Sequence, residues 1–293
     1  MAERLSLLRR DIAGIAAAPH AAPAGAARAR VPLGAARLDS MLAGGLAAGA
    51  LHEITAAAPG DAPAAAGFVL ALAALFAASR KSPLIWIGED FAGLEQGALY
   101  GPGLALHGID PAHLVLVRTA NAKDALWAME EALKCRTPAV VIGEIYSAKL
   151  YDLTASRRLV LAAQKQGTTG LLFFAGPVRA AALSSSAETR FEIRARPSPP
   201  QASAGNRIPL PGLAAFDVRI AKARAGPAGF SRNLERDSRE KPVSTFSHPA
   251  LDHDKFHSVF WSHREVLFRD ALSLPLATVA GDGQDHPPYR RSA

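Results

Sequence analysis

The chain has almost no cysteine and few aromatic residues, and both shortages narrow the class of protein that it can be. A single cysteine among 293 residues excludes a disulfide framework and leaves too few thiolates for a cysteine-based zinc site. This cysteine usage is typical of a reducing compartment, so we expect a soluble, cytoplasmic protein. Aromatic residues make up 6% of the chain and apolar residues 49%, so a sizeable core must be built largely from alanine and aliphatic side chains.

Charged residues are absent from one long stretch, Ala62–Ser79, whose length approaches that of a transmembrane helix. The stretch is mostly alanine and has Pro63 near its start, which favours a buried helix of a soluble protein. At the amino terminus, Arg9, Arg10 and Asp11 interrupt the apolar residues, which argues against a secretory signal. We therefore expect no membrane partner.

Short apolar runs alternate with helical patterns along the first part of the chain. Five of these runs predict strands, at 51–55, 84–88, 114–117, 139–143 and 170–174. The second, third and fourth runs are continuously apolar, as expected of strands that are buried on both faces. Such an alternation predicts an α/β fold with a mostly parallel β-sheet flanked by helices.

One predicted helix begins after Asn121 and continues to about Cys135, with Ala125, Met129 and Leu133 on its buried face. Trp127 lies in this helix and Trp86 lies in the second strand, and we expect both in the core.

The pattern changes after residue 177. Residues 190–196 and 216–224 alternate apolar and charged side chains, which predicts half-exposed, antiparallel strands. The polar sequence after about residue 235 predicts a poorly ordered tail with one short helix around 254–269. The expected organisation is an amino-terminal helix and Ala/Pro linker over 1–31, a core domain over 32–235 and a flexible tail over 236–293.

The loop after the first strand lacks the chemistry that such a sheet usually carries. A phosphate-binding loop needs glycines whose N–H groups face the phosphates, a lysine for the terminal phosphates and a Ser or Thr for Mg²⁺. Here the loop contains Ala58, Pro59, Gly60 and Asp61, and no lysine or arginine occurs in residues 55–79. Asp61 would also add a negative charge beside the phosphates. We therefore predict a degenerate loop, and we expect no cofactor and no metal ion.

The carboxylates that ATP hydrolysis requires are also displaced. The fourth strand should end in a metal-binding Asp but ends in Gly143, and the next residue, Glu144, should point to the opposite side. Glu89 and Asp90 follow the second strand and could polarise an attacking water. Without the lysine and the metal ligand, no ATP phosphate or Mg²⁺ would be held beside them, so we predict no catalytic residues.

The segment 30–54, RVPLGAARLDSMLAGGLAAGALHEI, resembles the RecA-family segment that leads into the phosphate loop. The matching residues are Leu38, Asp39, Gly44, Gly45, Leu46, Gly49, Glu53 and Ile54. The second strand corresponds to the strand that bears the catalytic Glu in that family. The fourth strand corresponds to its metal-binding strand. Together with the degenerate loop, residues 30–237 are similar to the ImuA family, the RecA-like, SulA-like accessory proteins of bacterial mutagenesis cassettes.

This resemblance implies a non-catalytic adaptor in a mutasome, which supports error-prone translesion synthesis in the SOS response to DNA damage. It implies two partners: an ImuB-like, inactive relative of the Y-family polymerases and an error-prone polymerase of the replicative type. RecA relatives self-associate through an amino-terminal helix, and residues 4–15 are amphipathic, so a homo-oligomer is also expected. Two alternatives are a divergent ATPase, using Arg80, Lys81 or a cation from another subunit, and a SulA-like inhibitor of cell division.

The late strands contain candidate DNA contacts. The net charge is +7, and residues 177–293 carry most of the basic excess. Arg219, Lys222 and Arg224 lie on or just after one strand and could contact phosphates, as could Arg190, Arg194 and Arg196, which share one face of the other. A solvated sheet face explains the same pattern.

The peptide ALSLPL in the tail, residues 271–276, resembles the short peptide with which bacterial proteins bind the sliding clamp. Ala271 replaces the glutamine of that peptide, whereas Leu272, Leu274 and Leu276 are retained. A flexible tail that presents a short apolar peptide is a known mode of recognition. The alternative is an incidental apolar patch.

Overall fold

Alternating strands and helices build one large sheet with helices on both faces. The computed structural model describes residues 28–79, 82–198 and 214–225, and the backbone of 257–260. The strands are β1 (Arg30–Val31), β2 (Leu46–Ala47), β3 (Leu51–Ala56), β4 (Leu84–Glu89), β5 (Leu114–Thr119), β6 (Val140–Ile145), β7 (Thr169–Phe174), β8 (Thr189–Arg196), β9 (Ala215–Ala223) and β10 (His257–Phe260). The α-helices are α1 (Ala36–Met41), α2 (Ala62–Ser79), α3 (Asp90–Gln96), α4 (Gly101–Leu106), α5 (Ala122–Leu133) and α6 (Leu153–Gln166).

The large sheet has eight strands in the order β10-β9-β8-β3-β7-β6-β4-β5. All pairs from β5 across to β8 are parallel, and β9 and β10 join antiparallel. The predicted α/β fold, with a mostly parallel sheet and late antiparallel strands, is confirmed. The first late strand also belongs to the parallel part, because β8 pairs with β3 on its other edge.

The predicted short helix around 254–269 is wrong at residues 257–260, which form β10 and pair with β9. The backbone groups of β9 offer a free sheet edge, and antiparallel pairing satisfies N–H and C=O groups on both strands. The remainder of the predicted flexible tail lies outside the described residues.

Helix α2 packs on one face of the sheet. It is apolar on every side, as expected of a helix surrounded by protein, and ten of its eighteen residues are buried. The Phe68 ring meets the rings of Phe191 on β8 and Phe216 on β9 edge to face. Among the described residues, one segment, Pro59–Ser79, is long and apolar enough to span a membrane by length and composition. Most of it lies in the core instead.

Helices α5 and α6 cover the other face. The Asn121 side chain accepts a hydrogen bond from the Asp124 N–H at 3.0 Å and begins α5, as its sequence predicts. The predicted inner face of Ala125, Met129 and Leu133 is buried. Met129 fills the space left by Gly143 on β6, where an added Cβ would lie 2.6 Å from the Met129 sulfur.

The prediction that the third apolar run is buried on both faces is wrong. It forms β5, which lies at the edge of the sheet and leaves Val115 and Leu116 about half exposed. Trp86 is buried, as expected, whereas Trp127 is 60% exposed. Trp127 lies two residues after Ala125, and a step of two residues rotates a helical side chain by roughly 200°, away from the buried face.

Candidate functional site

The loop after β3 is bound to the neighbouring strand. Its chain forms a short 3₁₀ turn at Pro59–Asp61 and then enters α2. The Ala57 N–H donates to the Ile193 carbonyl at 2.7 Å, and an Asp61 carboxylate oxygen accepts from the Ala195 N–H at 2.8 Å. Asp61 therefore anchors the loop to the carboxyl end of β8. In the described structure the loop thus carries a carboxylate that is bound to a strand N–H, and residues 55–79 supply no lysine.

The acidic residues after β4 already have protein partners. A Glu89 carboxylate oxygen accepts from the Tyr146 N–H at 2.8 Å, which ties the end of β4 to the end of β6. Asp90 accepts from the Arg118 guanidinium at 2.9 Å, and both of these side chains are exposed. These charge-assisted hydrogen bonds hold both carboxylates in place. Each residue thus has a structural role that explains its presence.

Glu144 lies on the side of the sheet that α2 covers, and its position differs from the sequence interpretation. Gly143 faces α5, so alternation along β6 turns Glu144 to the side where a phosphate loop and its helix would lie. The buried carboxylate accepts from the Trp86 indole N–H at 2.9 Å. Burial raises the pKa of Glu144, and the indole N–H partly offsets this effect. The Glu144 carboxyl group is therefore buried and hydrogen-bonded to the indole.

Exposed apolar side chains lie on the segments that follow β4 and β6. The Phe91 ring packs edge to face on Tyr146, with 4.7 Å between ring centroids. Leu94 on α3 is 80% exposed, and Leu150 and Leu153 at the start of α6 are each more than half exposed. In the part of the chain that the structure describes, no three His, Cys, Asp or Glu side chains are grouped to hold a metal ion.

Asp39 and Gly45, two of the residues that match the RecA-family segment, shape the backbone on either side of α1. Asp39 accepts the Leu33 and Gly34 N–H groups at 2.7 and 3.0 Å and closes the turn before α1. Gly45 has a φ of 125°, and an added Cβ would lie 2.4 Å from the Val31 carbonyl oxygen. The backbone here can be formed only by glycine.

Glu53, the acidic residue of that segment, belongs to a buried polar cluster that the sequence did not predict. Its carboxylate binds Arg190 of β8 at 2.7 Å and accepts the Tyr151 hydroxyl at 2.5 Å. Arg190 also donates to the Ala180 carbonyl and to the Ser185 hydroxyl. Burial, followed by the nearby Glu53 charge, raises the pKa of Tyr151 well above its usual value. An acidic residue inside an apolar strand was the available signal, because such a charge needs a buried partner.

One residue of the predicted basic face, Arg190, belongs to this buried cluster, so that part of the prediction is wrong. Arg190, Arg194 and Arg196 do share a face of β8, but Arg190 is buried and bound to Glu53, so it cannot reach DNA. Arg194 and Arg196 are exposed.

The three candidate DNA contacts on or after β9 lie beside the same face. Arg219 forms an ion pair with Glu192. Lys222 and Arg224 donate to the backbone carbonyl oxygens of Ser185 and Ser186. These contacts hold the three side chains beside β8 and the segment that precedes it.

Several predicted residues lie outside the described part of the chain. They are the clamp-peptide residues Leu272, Leu274 and Leu276, the cations Arg80 and Lys81, and the amphipathic segment 4–15.

Comparison with known proteins finds relatives of one kind. No family model matches the chain. Protein ImuA of Caulobacter vibrioides, from strain NA1000 / CB15N, is 33% identical over 138 residues, which are 46% of this chain and 52% of that protein. Protein ImuA of strain ATCC 19089 / CIP 103742 / CB 15 matches with the same identity and coverage. The chain thus spans about half the length of these curated relatives.

Proposed function

Taking the homology of this chain to the ImuA proteins as the premise, we propose that it is a non-catalytic accessory protein of error-prone translesion DNA synthesis in the SOS response. The resemblance predicted from residues 30–237 agrees with this relationship. It supports involvement in a damage-inducible mutagenesis system. Within a mutasome, the chain would act as an adaptor that binds the other components.

The observation that carries the proposal is the chemistry of the carboxyl edge of the sheet. Residues 55–79 contain no cation, Asp61 is bound to the Ala195 N–H, and Glu144 is buried against Trp86. Each charge contact missing from a phosphate site removes several kcal/mol of ground-state or transition-state stabilisation, on the order of 3–4 kcal/mol for one donor. A fold kept without this chemistry suits a protein that works by binding partners.

The proposed role includes specific partners. They are an ImuB-like inactive Y-family polymerase and an error-prone polymerase of the replicative type, in the cytoplasm. The sliding clamp is a further proposed partner through Leu272, Leu274 and Leu276, and self-association through residues 4–15 is proposed as well. Co-elution of the purified chain with an ImuB-like protein tests that pairing. Loss of clamp binding in Leu274→Ala tests the proposed binding to the sliding clamp.

A nucleotide-binding test decides between this role and a divergent ATPase. The melting temperature of the full chain is measured with and without millimolar ATP–Mg²⁺, alongside phosphate release. Ligand at 100 times its Kd would stabilise the native state by about 2.7 kcal/mol, and a domain of this size would then melt roughly 5–10 °C higher. We expect no shift and no phosphate release.

The control separates catalysis from background activity. Glu89→Ala and Asp90→Ala are compared with Glu95→Ala, which removes an exposed carboxylate from the same helix region. A shift of several degrees in the parent, or turnover that Glu89→Ala or Asp90→Ala abolishes and Glu95→Ala retains, would make the chain a divergent ATPase.

A further inference from the structure

Strands β8 and β9 present a charged face on the side of the sheet opposite α2, here called the β8–β9 face. The side of these two strands that faces α2 is apolar and points into the core, where Phe191, Ile193 and Phe216 pack against α2. The other side carries the basic residues Arg194, Arg196, Arg219, Lys222 and Arg224 and the acidic residues Glu192 and Asp217. The register confirms the common face, because Glu192 lies opposite Arg219 and Arg194 lies opposite Asp217.

Five basic residues lie on this face or just after β9, against the acidic Glu192 and Asp217 and against Glu188, which precedes β8 beside Arg224. Arg219 binds Glu192, and Arg196 binds Asp217 at 3.1 Å, through side chains that remain in part accessible to water. The Arg196–Asp217 pair is the more exposed of the two, and exposed ion pairs typically contribute only about 0–1 kcal/mol, so a phosphate can replace the Asp217 carboxylate at small cost. The hydrogen bonds of Lys222 and Arg224 to carbonyl oxygens leave the positive charge of both side chains in place.

The spacing and composition of the face fit a phosphate backbone. Alternate residues of one strand are roughly 6.6–6.8 Å apart and neighbouring strands about 4.8 Å apart, so the cations form a narrow, flat strip. Among the described residues of this face there is no aromatic side chain on which an unpaired base could stack. Stacking contributes much of the affinity for single strands, whereas duplex backbones are held by cations alone.

We infer that the β8–β9 face binds the phosphate backbone of double-stranded DNA without regard to sequence. The choice of DNA among polyanions rests on the proposed function. Binding at this face would hold the protein on the duplex while leaving the carboxyl edge of the parallel strands accessible.

Salt-dependent binding of the full chain tests the inference. A fluorescein-labelled 30-base-pair duplex and a single strand of equal length are titrated by anisotropy between 50 and 200 mM salt. With a slope of about −0.9 per neutralised phosphate, five contacts predict a loss of affinity of about 500-fold across this range. The double variant Arg194→Gln/Arg196→Gln retains three contacts and should lose only about 40-fold, with weaker binding at 50 mM salt.

Two further variants keep the test specific. Arg37→Gln/Arg118→Gln removes the same charge from exposed positions elsewhere and should retain the salt dependence of the parent. Asp217→Asn removes an acidic group from the face and should tighten binding. Equal losses in both double variants, weaker binding by Asp217→Asn, tighter binding to the single strand or no binding by the parent at 50 mM salt would each overturn the inference. The accessory function would survive any of these results, since the ATP test is independent of them.

Discussion

Replacing Arg190 with methionine should expose how strongly the fold depends on the buried pair between β3 and β8. The Arg190 Nε lies 2.7 Å from a Glu53 carboxylate oxygen, and the two side chains are 6% and 0% exposed. Methionine retains much of the apolar volume but removes the charge. Within the described part of the chain, Glu53 would then keep the Tyr151 hydroxyl as its hydrogen-bond partner, at 2.5 Å.

The magnitude follows from the cost of a buried charge that has lost its partner. Breaking a buried pair by removing one member costs about 3–5 kcal/mol, whereas replacing both members is often nearly neutral. For a domain of this size such a loss lowers the melting temperature by roughly 6–20 °C. The double variant Glu53→Gln/Arg190→Met removes both charges and keeps an amide oxygen for Tyr151, so it should recover at least about 2 kcal/mol of the loss.

Urea denaturation followed by circular dichroism measures these free energies of unfolding. Arg194→Met is the matched control, because Arg194 lies on the same face of β8 but is exposed, and it should change stability by less than about 0.5 kcal/mol. If Arg190→Met lost less than about 1 kcal/mol, or if the double variant were no more stable than the single variant, the reasoning about the buried pair would be refuted.

Two other predictions follow from buried residues near β3. Burial lowers the pKa of His52 from 6.5 to about 4, so the stability from its neutral form is complete above pH 6.5 and is lost as the pH falls toward 4, by about 3 kcal/mol in total. Urea midpoints at pH 7 and pH 5 should show this decline in the parent and a smaller one in His52→Gln; equal declines would contradict it. Gly45→Ala should cost at least about 2 kcal/mol, because its Cβ would lie 2.4 Å from the Val31 carbonyl oxygen at a φ of 125°. Gly60→Ala, where an added Cβ meets nothing within 4 Å, should change stability little in the same assay; similar costs at both positions would count against this account.

The strand positions, the Asn121 cap and the inner face of α5 were all predictable from sequence, because apolar periodicity and capping chemistry are local properties. The absence of a cation from residues 55–79 was equally visible. The apolar pattern of residues 114–117 predicted a strand in the interior, but β5 lies at the sheet edge. An edge strand and a central strand can have the same apolar pattern. Sequence also placed Trp127 in the core, although helical rotation from Ala125 argued otherwise.

The candidate site also has one part that was predictable from sequence and one part that was not. Sequence determined which charges are present at the end of each strand, since this requires only the order of residues. Tertiary structure alone decided which partners those charges have: Asp61 with the Ala195 N–H, Glu89 with the Tyr146 N–H, and Glu53 with Arg190. Each pair joins residues more than fifty positions apart in the chain, brought together by the sheet. Pairing at that separation depends on strand order, and no local pattern encodes strand order.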